Sequence, residues 1–485
     1  MYQLIVFSSA ALLCALSLLI FKGKSESKFK IYLKCLTVLF CAVGFFRFFF
    51  SDSFIFVYNG IPVLGGGEIR NPDILHSILR WGYFSIYAVL PIAVFYKNRL
   101  FRNVASYFCL PFAIASTFFF KDFIKYFLDY QPYIQFDSQG WHIDWGTSFR
   151  YVLFAFELVL AISIPIMLQI KERHYLDVKN PKEWRNFGIA LPFIILVTTP
   201  IYVPQSLFGY GLYKPTTFGA LHISWIALTL VAIVALYFIF RFRSYGDRFQ
   251  LCLFLAIVLF YQYNSYYLRG VTIGRLPFQL CNIACFFYLI ALVFNFKKMF
   301  QFAFLANIVG AIIAIVSPNL TQGNFSLNTF HFMIEHSLVL AVPAIAMGLR
   351  IIPRLTFKSL KYFFIGFASY FGFSFVLGTI LNGYSDITGE TVNYFYMFDY
   401  KDILNRLPML TFLKDTHYTF GRFEVYPLMI LLIFFGFALL CFAFFLAVRY
   451  IYKFEDDHLE LRKSSIDLYE KISKKESKRP KNFID

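Results

Sequence analysis

The stretch RLPFQLCNIACF, Arg275–Phe286, sets a proline, two side-chain amides and two thiols at the head of an apolar run. The run continues as FYLIALVF, Phe287–Phe294, and reaches Lys297 without a charged residue. Proline lacks an N–H donor and clashes with the preceding turn of a helix, so Pro277 belongs at a helix start. A bilayer core demands about 20 mostly apolar residues, and this segment supplies them. The fold follows from how often such segments recur.

Comparable runs centre near residues 12, 40, 88, 111, 160, 194, 230, 258, 286, 308, 340, 370 and 438. Across all 485 residues, 59% are hydrophobic and 15% charged, where soluble domains carry about 25% charge. The reading is an all-α polytopic membrane protein with about 13 transmembrane helices. The first run lacks a basic leader and an Ala-x-Ala-like cleavage site, so it reads as a retained span. The 66 Phe residues serve as lipid-compatible bulk.

A net charge of +17 invites a nucleic-acid reading, and the placement of the charge answers it. With the N-terminus outside, the inner segments 22–34, 97–102, 171–185, 241–248, 297–298, 350–361 and 449–485 hold 32 of the 45 Lys and Arg residues. Cytoplasmic loops collect such residues, so topology accounts for the excess. The expectation is a multi-pass cell-membrane protein, N-terminus outside and C-terminus cytoplasmic, with no nucleic-acid partner.

The chain also reads as a degenerate tandem duplication of a six- to seven-helix unit. Arg80–Phe123 and Arg275–Leu320 share a layout of span, short basic turn and span. The expected divisions are residues 1–217, a divergent six-helix unit; 218–452, a seven-helix domain; and 453–485, a charged cytoplasmic tail. The tail ends in a basic stretch suited to anionic lipid headgroups. Three outer loops are long, 51–79, 120–148 and 383–425. All eight Cys residues lie in apolar runs, where thiols are usually inert small hydrophobes.

Ionisable and amide groups within spans are costly and mark candidate sites. His222 opens the seventh run. Gln279, Cys281 and Asn282 open the ninth, and His331 and His336 lie in the first third of the eleventh, with Glu335 beside them. At about 1.5 Å per residue, all lie at similar depth from the outer surface. Gln279 and Asn282, three apart, would share a helix face. Cys and His together can form a nucleophile–base pair, and side-chain amides can polarise a carbonyl. Zinc would use the same residue types, but no HxxxH, HExxH or CxxC spacing is present. No metal and no cofactor are expected.

The ordered motifs FGALH (Phe218–His222), LPFQLCNIA (Leu276–Ala284), SPNL (Ser317–Leu320), FHFMIEHSLVLAVP (Phe330–Pro343) and LNGYSDITGETVNYFYM (Leu381–Met397) carry a resemblance. The second half resembles the YwaF-like bacterial integral membrane proteins and, more distantly, the eukaryotic transmembrane protein 164 acyltransferase family. The resemblance implies a seven-span bundle and, in the eukaryotic branch, acyl transfer between phospholipids by a Cys/His pair. His336, seven residues before Pro343, looks like that His. The family's Asn-Pro-Cys-His motif is not reproduced, since Phe278 and Gln279 follow Pro277; Cys281, three positions beyond Phe278, resembles the bacterial Cys.

The reading is thus a membrane-embedded acyltransferase or acyl hydrolase acting on phospholipids near the outer leaflet. His336 and Cys281 are the catalytic candidates, Gln279 and Asn282 the polarising ones, and His222 and His331 the supporting ones. Two other readings compete: a transporter-like module, suggested by the duplication and by mid-span Asn307, and a non-catalytic membrane scaffold.

Overall fold

Long apolar runs closed by basic, proline- or glycine-containing turns leave the backbone one economical solution in lipid. Its N–H and C=O groups must pair within the segment, which makes each run a helix. The computed structural model of the protein describes residues 1–23, 25–49, 74–96, 98–120, 147–172, 180–198, 216–264, 276–318, 327–385, 391–400, 404, 408–420 and 423–458. In the first half these hold helices α1 (Tyr2–Ile20), α2 (Glu26–Phe49), α3 (Ile74–Phe95), α4 (Arg99–Val104), α5 (Leu110–Phe118), α6 (Thr147–Glu172) and α7 (Pro181–Thr198). The second half holds α8 (Ala220–Phe240), α9 (Tyr245–Asn264), α10 (Leu280–Val293), α11 (Lys297–Val316), α12 (Leu327–Gly348), α13 (Phe357–Gly383) and α14 (Pro427–His458). A short antiparallel ribbon, β1 (Tyr418–Phe420) and β2 (Phe423–Val425), pairs Thr419 with Glu424 just before α14.

Among the described residues, α1, α6, α8, α11, α12, α13 and α14 contain stretches long and apolar enough to cross a membrane; shorter apolar helices cover Ser85–Phe95 and Leu280–Val293. The chain is an all-α multi-pass membrane protein. All thirteen expected centres fall on these helices, with α4 and α5 forming one run. That run widens into a π turn at Ala105–Cys109, directly ahead of Pro111, whose ring cannot pack against the preceding turn. The long outer loops fall largely outside the described residues, as does the basic tail from 459 onward.

Packing partners recur in order between the halves. Helix α6 packs on α1, α2 and α5, and α12 packs on α8, α9 and α11; likewise α2 meets α3 as α9 meets α10. The halves meet at α9, whose residues from Phe249 to Tyr263 are almost all buried. Its far side presents aromatics to the first half: the Tyr87 and Tyr261 rings lie 5.0 Å apart, and the Phe101 and Phe254 rings 5.7 Å apart. Asn98 caps α4 through Leu100 N and Phe101 N, and its amide donates to Gln250 on α9. A buried carboxylate, Glu157, accepts from the Tyr83 hydroxyl at 2.9 Å.

Ion pairs set the other end of α14. Arg350 pairs with Asp456, and Arg354 with Glu455 at 2.7 Å while lying 3.8 Å over the Tyr452 ring. Helix α8 lies on the rim, its apolar window only 6% buried. Such a surface suits acyl chains rather than water.

Close approach of α2 to α3 depends on Gly44. A Cβ there would sit 2.1 Å from Tyr87 Cε1 and 2.7 Å from its hydroxyl, and Tyr87 is fully buried and stacked on Phe40 at 4.9 Å. Gly44→Ala should therefore destabilise the protein by about 1–3 kcal/mol, the usual range for overpacking. Thermal unfolding in detergent checks this, and adding Tyr87→Leu should recover part of the loss.

Candidate functional site

Pro277 and Phe278 form a turn, and α10 begins only at Leu280. Gln279 is the residue preceding the helix, in extended conformation (φ −73°, ψ 147°). It therefore does not share a helix face with Asn282, contrary to the spacing argument, because the proline-led turn delays the first helical residue. Its amide turns away from the helix. Nε2 donates to Asn393 O at 2.8 Å, and Oε1 accepts from Phe395 N at 3.3 Å.

Those partners belong to a folded turn across the end of the bundle where α10 begins. Asn382 holds Val392 at both backbone groups, at 3.1 Å and 2.8 Å. The Asn393 side chain accepts from Phe398 N and Asp399 N, both at 3.0 Å. Phe395 and Tyr396 take left-handed φ values of 52° and 58°, a strain of about 1–3 kcal/mol each that surrounding structure must hold. Phe395 is held by rings, lying 5.3–6.2 Å from Phe367, Tyr370, Phe371 and Phe437. Tyr370 also donates to Phe278 O at 2.7 Å, fastening α13 to the turn before α10.

His222 likewise has both ring nitrogens engaged. Nδ1 accepts from Phe218 N at 2.9 Å, so Nε2 carries the proton and donates to Ile315 O at 2.7 Å. The first bond satisfies an amide ahead of α8, and the second satisfies a carbonyl at the end of α11. The ring is 3% exposed. A clasp of this kind leaves no lone pair for proton shuttling. Helix α8 is further fixed to α12 by Trp225 Nε1, which donates to Ser337 Oγ at 2.9 Å and Met333 O at 3.2 Å.

His336 is held on one side only. Nδ1 donates to Phe332 O at 2.7 Å, the carbonyl one turn back, and the ring lies 4.2 Å from that of Phe332. This fixes the tautomer that keeps a lone pair on Nε2. Among the described residues His336 has no other hydrogen-bond partner, Cys281, Gln279 and Asn282 included. His331 instead meets a carboxylate, its Nε2 lying 3.3 Å from Glu335 Oε2, and both side chains are more than nine-tenths buried. The other carboxylate oxygen, Glu335 Oε1, is buried without a partner.

Across from this pair, α10 presents its thiols. Cys281 is half-buried beside Gly310 of α11, where a Cβ would stand 3.5 Å from the sulfur. Among the described residues neither its thiol nor the half-buried amide of Asn282 has a hydrogen-bond partner. Cys285 is buried and donates to Asn282 O at 3.2 Å. One layer deeper, the Tyr288 hydroxyl donates to Val339 O at 3.2 Å and lies against Asn307. The Asn307 amide has no well-formed hydrogen bond at either atom, although it is fully buried. Among the described residues, no three His, Cys, Asp or Glu side chains are grouped to hold a metal ion.

The structure thus sorts the candidates. Gln279 and His222 are engaged in fastening the fold, while Cys281, Asn282 and His336 retain unengaged groups. Reading the residues from sequence passed over Glu335 as a site residue, although its i, i+4 spacing from His331 places both on one helix face. It also passed over Tyr370, Asn382 and Asn393, whose partners lie far away in sequence.

Residues 217–448 match the TMEM164 family model. The second half of the chain is thus similar to that family. The matched region runs from the turn before α8 almost to the end of α14, and so contains the polar layer between α10, α11 and α12. No curated protein and no solved structure matched the chain.

Two outcomes follow from the engaged residues. His222→Ala removes both bonds of the clasp and should lower stability by about 1–3 kcal/mol, read as a drop in unfolding temperature. Gln279→Leu frees the 392–399 turn, so hydrogen exchange at the Phe395 amide should accelerate at least about tenfold while amides in mid-α11 stay protected.

Proposed function

We propose that the protein is a membrane-embedded lipid-modifying enzyme, an acyltransferase or acyl hydrolase acting on phospholipid acyl chains near the outer leaflet. One observation carries this reading: a half-buried thiol, Cys281, free of hydrogen bonds, stands between helices that also bear imidazole, carboxylate and amide groups. The match of residues 217–448 to the TMEM164 family model supports it.

In this reading the Cys281 sulfur attacks the carbonyl of a phospholipid ester. An S–C bond forms, the ester C–O bond breaks, and the lysolipid leaves with a proton. The hydroxyl of an acceptor lipid, or water, then attacks the thioester and returns the proton to sulfur. His336 suits the second step as general base, because the bond from Nδ1 to Phe332 O leaves Nε2 able to accept a proton. Asn282 donates to the oxyanion that develops in both steps. Gln279, by holding the 392–399 turn, shapes the entrance. Burial pushes the Tyr394 phenol in that turn above its usual range, so it presents a neutral hydroxyl there.

The test is comparative lipidomics of cells lacking the protein and supplied with the parent chain, Cys281→Ala or His336→Ala at matched membrane levels. Both variants should lose acyl remodelling by about 100-fold or more, the usual scale for a nucleophile or general base. Lipid profiles equal to the parent's in both would contradict the proposal.

A further inference from the structure

Helix α10 is too short for the membrane it stands in. Its 14 residues rise about 21 Å, whereas the hydrocarbon core is about 30 Å thick. Its neighbour α11 has 20 residues, about 30 Å in length. Residues Phe294–Phe296 join the two at the end of α10, so the shortfall lies at its start. The contacts agree. A Cβ on Gly310 of α11 would stand 3.2 Å from Leu280 Cδ2 and 3.5 Å from the Cys281 sulfur. Gly310 itself lies about 9 Å before the end of α11 at Val316. Helix α10 therefore begins inside the bilayer, and something other than helix must fill the layer above it.

The 391–400 turn enters that layer. Asn393 O and Phe395 N bond to Gln279, which sets the backbone of the turn level with the start of α10. The Phe395 ring goes deeper, lying 5.3 Å from that of Phe371 on α13 and 6.2 Å from that of Phe437 on α14. Phe371 stands about 18 Å before the end of α13, and Phe437 about 15 Å beyond the start of α14. The ring thus reaches about the middle of a 30 Å core. Non-helical backbone at such depth persists only where protein covers it and its polar groups are paired. Three side-chain amides do the pairing here. Asn382 holds Val392, Gln279 holds Asn393 and Phe395, and Asn393 holds Phe398 and Asp399.

We propose that residues 391–400 form a re-entrant turn, which closes the Cys281 layer to water and leaves it to be approached from lipid. The turn covers the side of the layer next to α13 and α14. On the other side, α11 overhangs the start of α10 with an apolar surface. Ile312, Ile313 and Val316 are 38%, 46% and 46% exposed, and Ile313 lies one turn outward of Gly310. Such a surface suits an acyl chain and offers nothing to a hydrated solute. The substrate is thus a lipid ester whose chain slides in along α11, and a water-soluble acyl donor is excluded. This deepens the acyl-transfer reading and rests on it for the chemistry; the depth of the turn stands without it.

Thiol labelling reads that depth. In native membranes opened to reagent on both faces, Tyr396→Cys in the turn and Thr419→Cys in the β ribbon are treated with a charged, membrane-impermeant maleimide. Each labelled peptide, and that of native Cys281, is followed by mass spectrometry. Tyr396 is 52% exposed and Thr419 is exposed as well, so a difference between them reports lipid against water. Because a charge is costly at bilayer depth, Tyr396→Cys and Cys281 should each label at least about tenfold more slowly than Thr419→Cys. All three should label fully once denatured, and unfolding temperatures near the parent's would show that the variants fold. Gln279→Leu, which releases the turn, should speed labelling of Cys281 about tenfold or more. A smaller difference at either thiol, or no gain in Gln279→Leu, would overturn the proposal. If Tyr396→Cys and Cys281 are protected while Cys281→Ala leaves lipid profiles untouched, the re-entrant turn stands and the acyl-transfer reading falls. If they label freely while Cys281→Ala abolishes remodelling, acyl transfer stands at a site open to water.

Discussion

A polar side chain among membrane-spanning helices has no water to turn to, so each one either finds a partner in the chain or keeps a bonding capacity that folding does not use. The second half of this protein follows that constraint closely. His222 clasps the ends of α8 and α11, Gln279 fastens the 392–399 turn to the start of α10, and Asn382 holds Val392. These bonds fix the ends of four helices, α8, α10, α11 and α13, and support two residues in left-handed conformations. Against that background, the unengaged groups stand out as a set. Cys281, Asn282, Asn307, His336 Nε2 and Glu335 Oε1 belong to three packed helices, α10, α11 and α12, within the first turns of α10 and α12 or opposite them.

How this layer is held explains its rigidity. Helix α11 packs against α10, α12 and α13, and Gly310 admits the Cys281 and Leu280 side chains where a larger residue would press on them. Helix α9 backs the layer and at the same time carries the contact with the first half, through Tyr261 and Tyr87. Among the described residues, the buried helix α9 thus links the first half to the candidate site. The first half's own buried carboxylate, Glu157, accepts from Tyr83 and lies close enough to influence Tyr261 and Cys41.

Much of this was legible in the chain. Hydropathy located the helices because lipid imposes one length and one hydrogen-bonding solution on every span. The expectation of a common depth for His222, Cys281 and His336 came from counting residues along their runs. Direction was not legible. Whether His222 aims at a substrate or at Ile315 O depends on packing between helices some 90 residues apart, and nothing local in FGALH encodes it. Gln279 was read as part of a helical face because Pro277 can occupy a first helical position; in the folded chain, Pro277 and Phe278 turn first and the helix starts at Leu280. Glu335 was visible but outweighed, since imidazoles and thiols drew the chemistry toward themselves. The unmatched demand of its second oxygen exists only once the neighbouring helices are in place.

The central claim is that Cys281 carries an acyl group between lipids, and the covalent intermediate tests it most directly. Purified protein incubated with phospholipid bearing an isotopically labelled acyl chain, quenched at low pH and digested, should show that chain on the peptide containing Cys281, released by hydroxylamine as a thioester is. The mark should vanish in Cys281→Ala and persist in Cys285→Ala. Acyl transfer to an acceptor lipid without any label on that peptide would contradict the account.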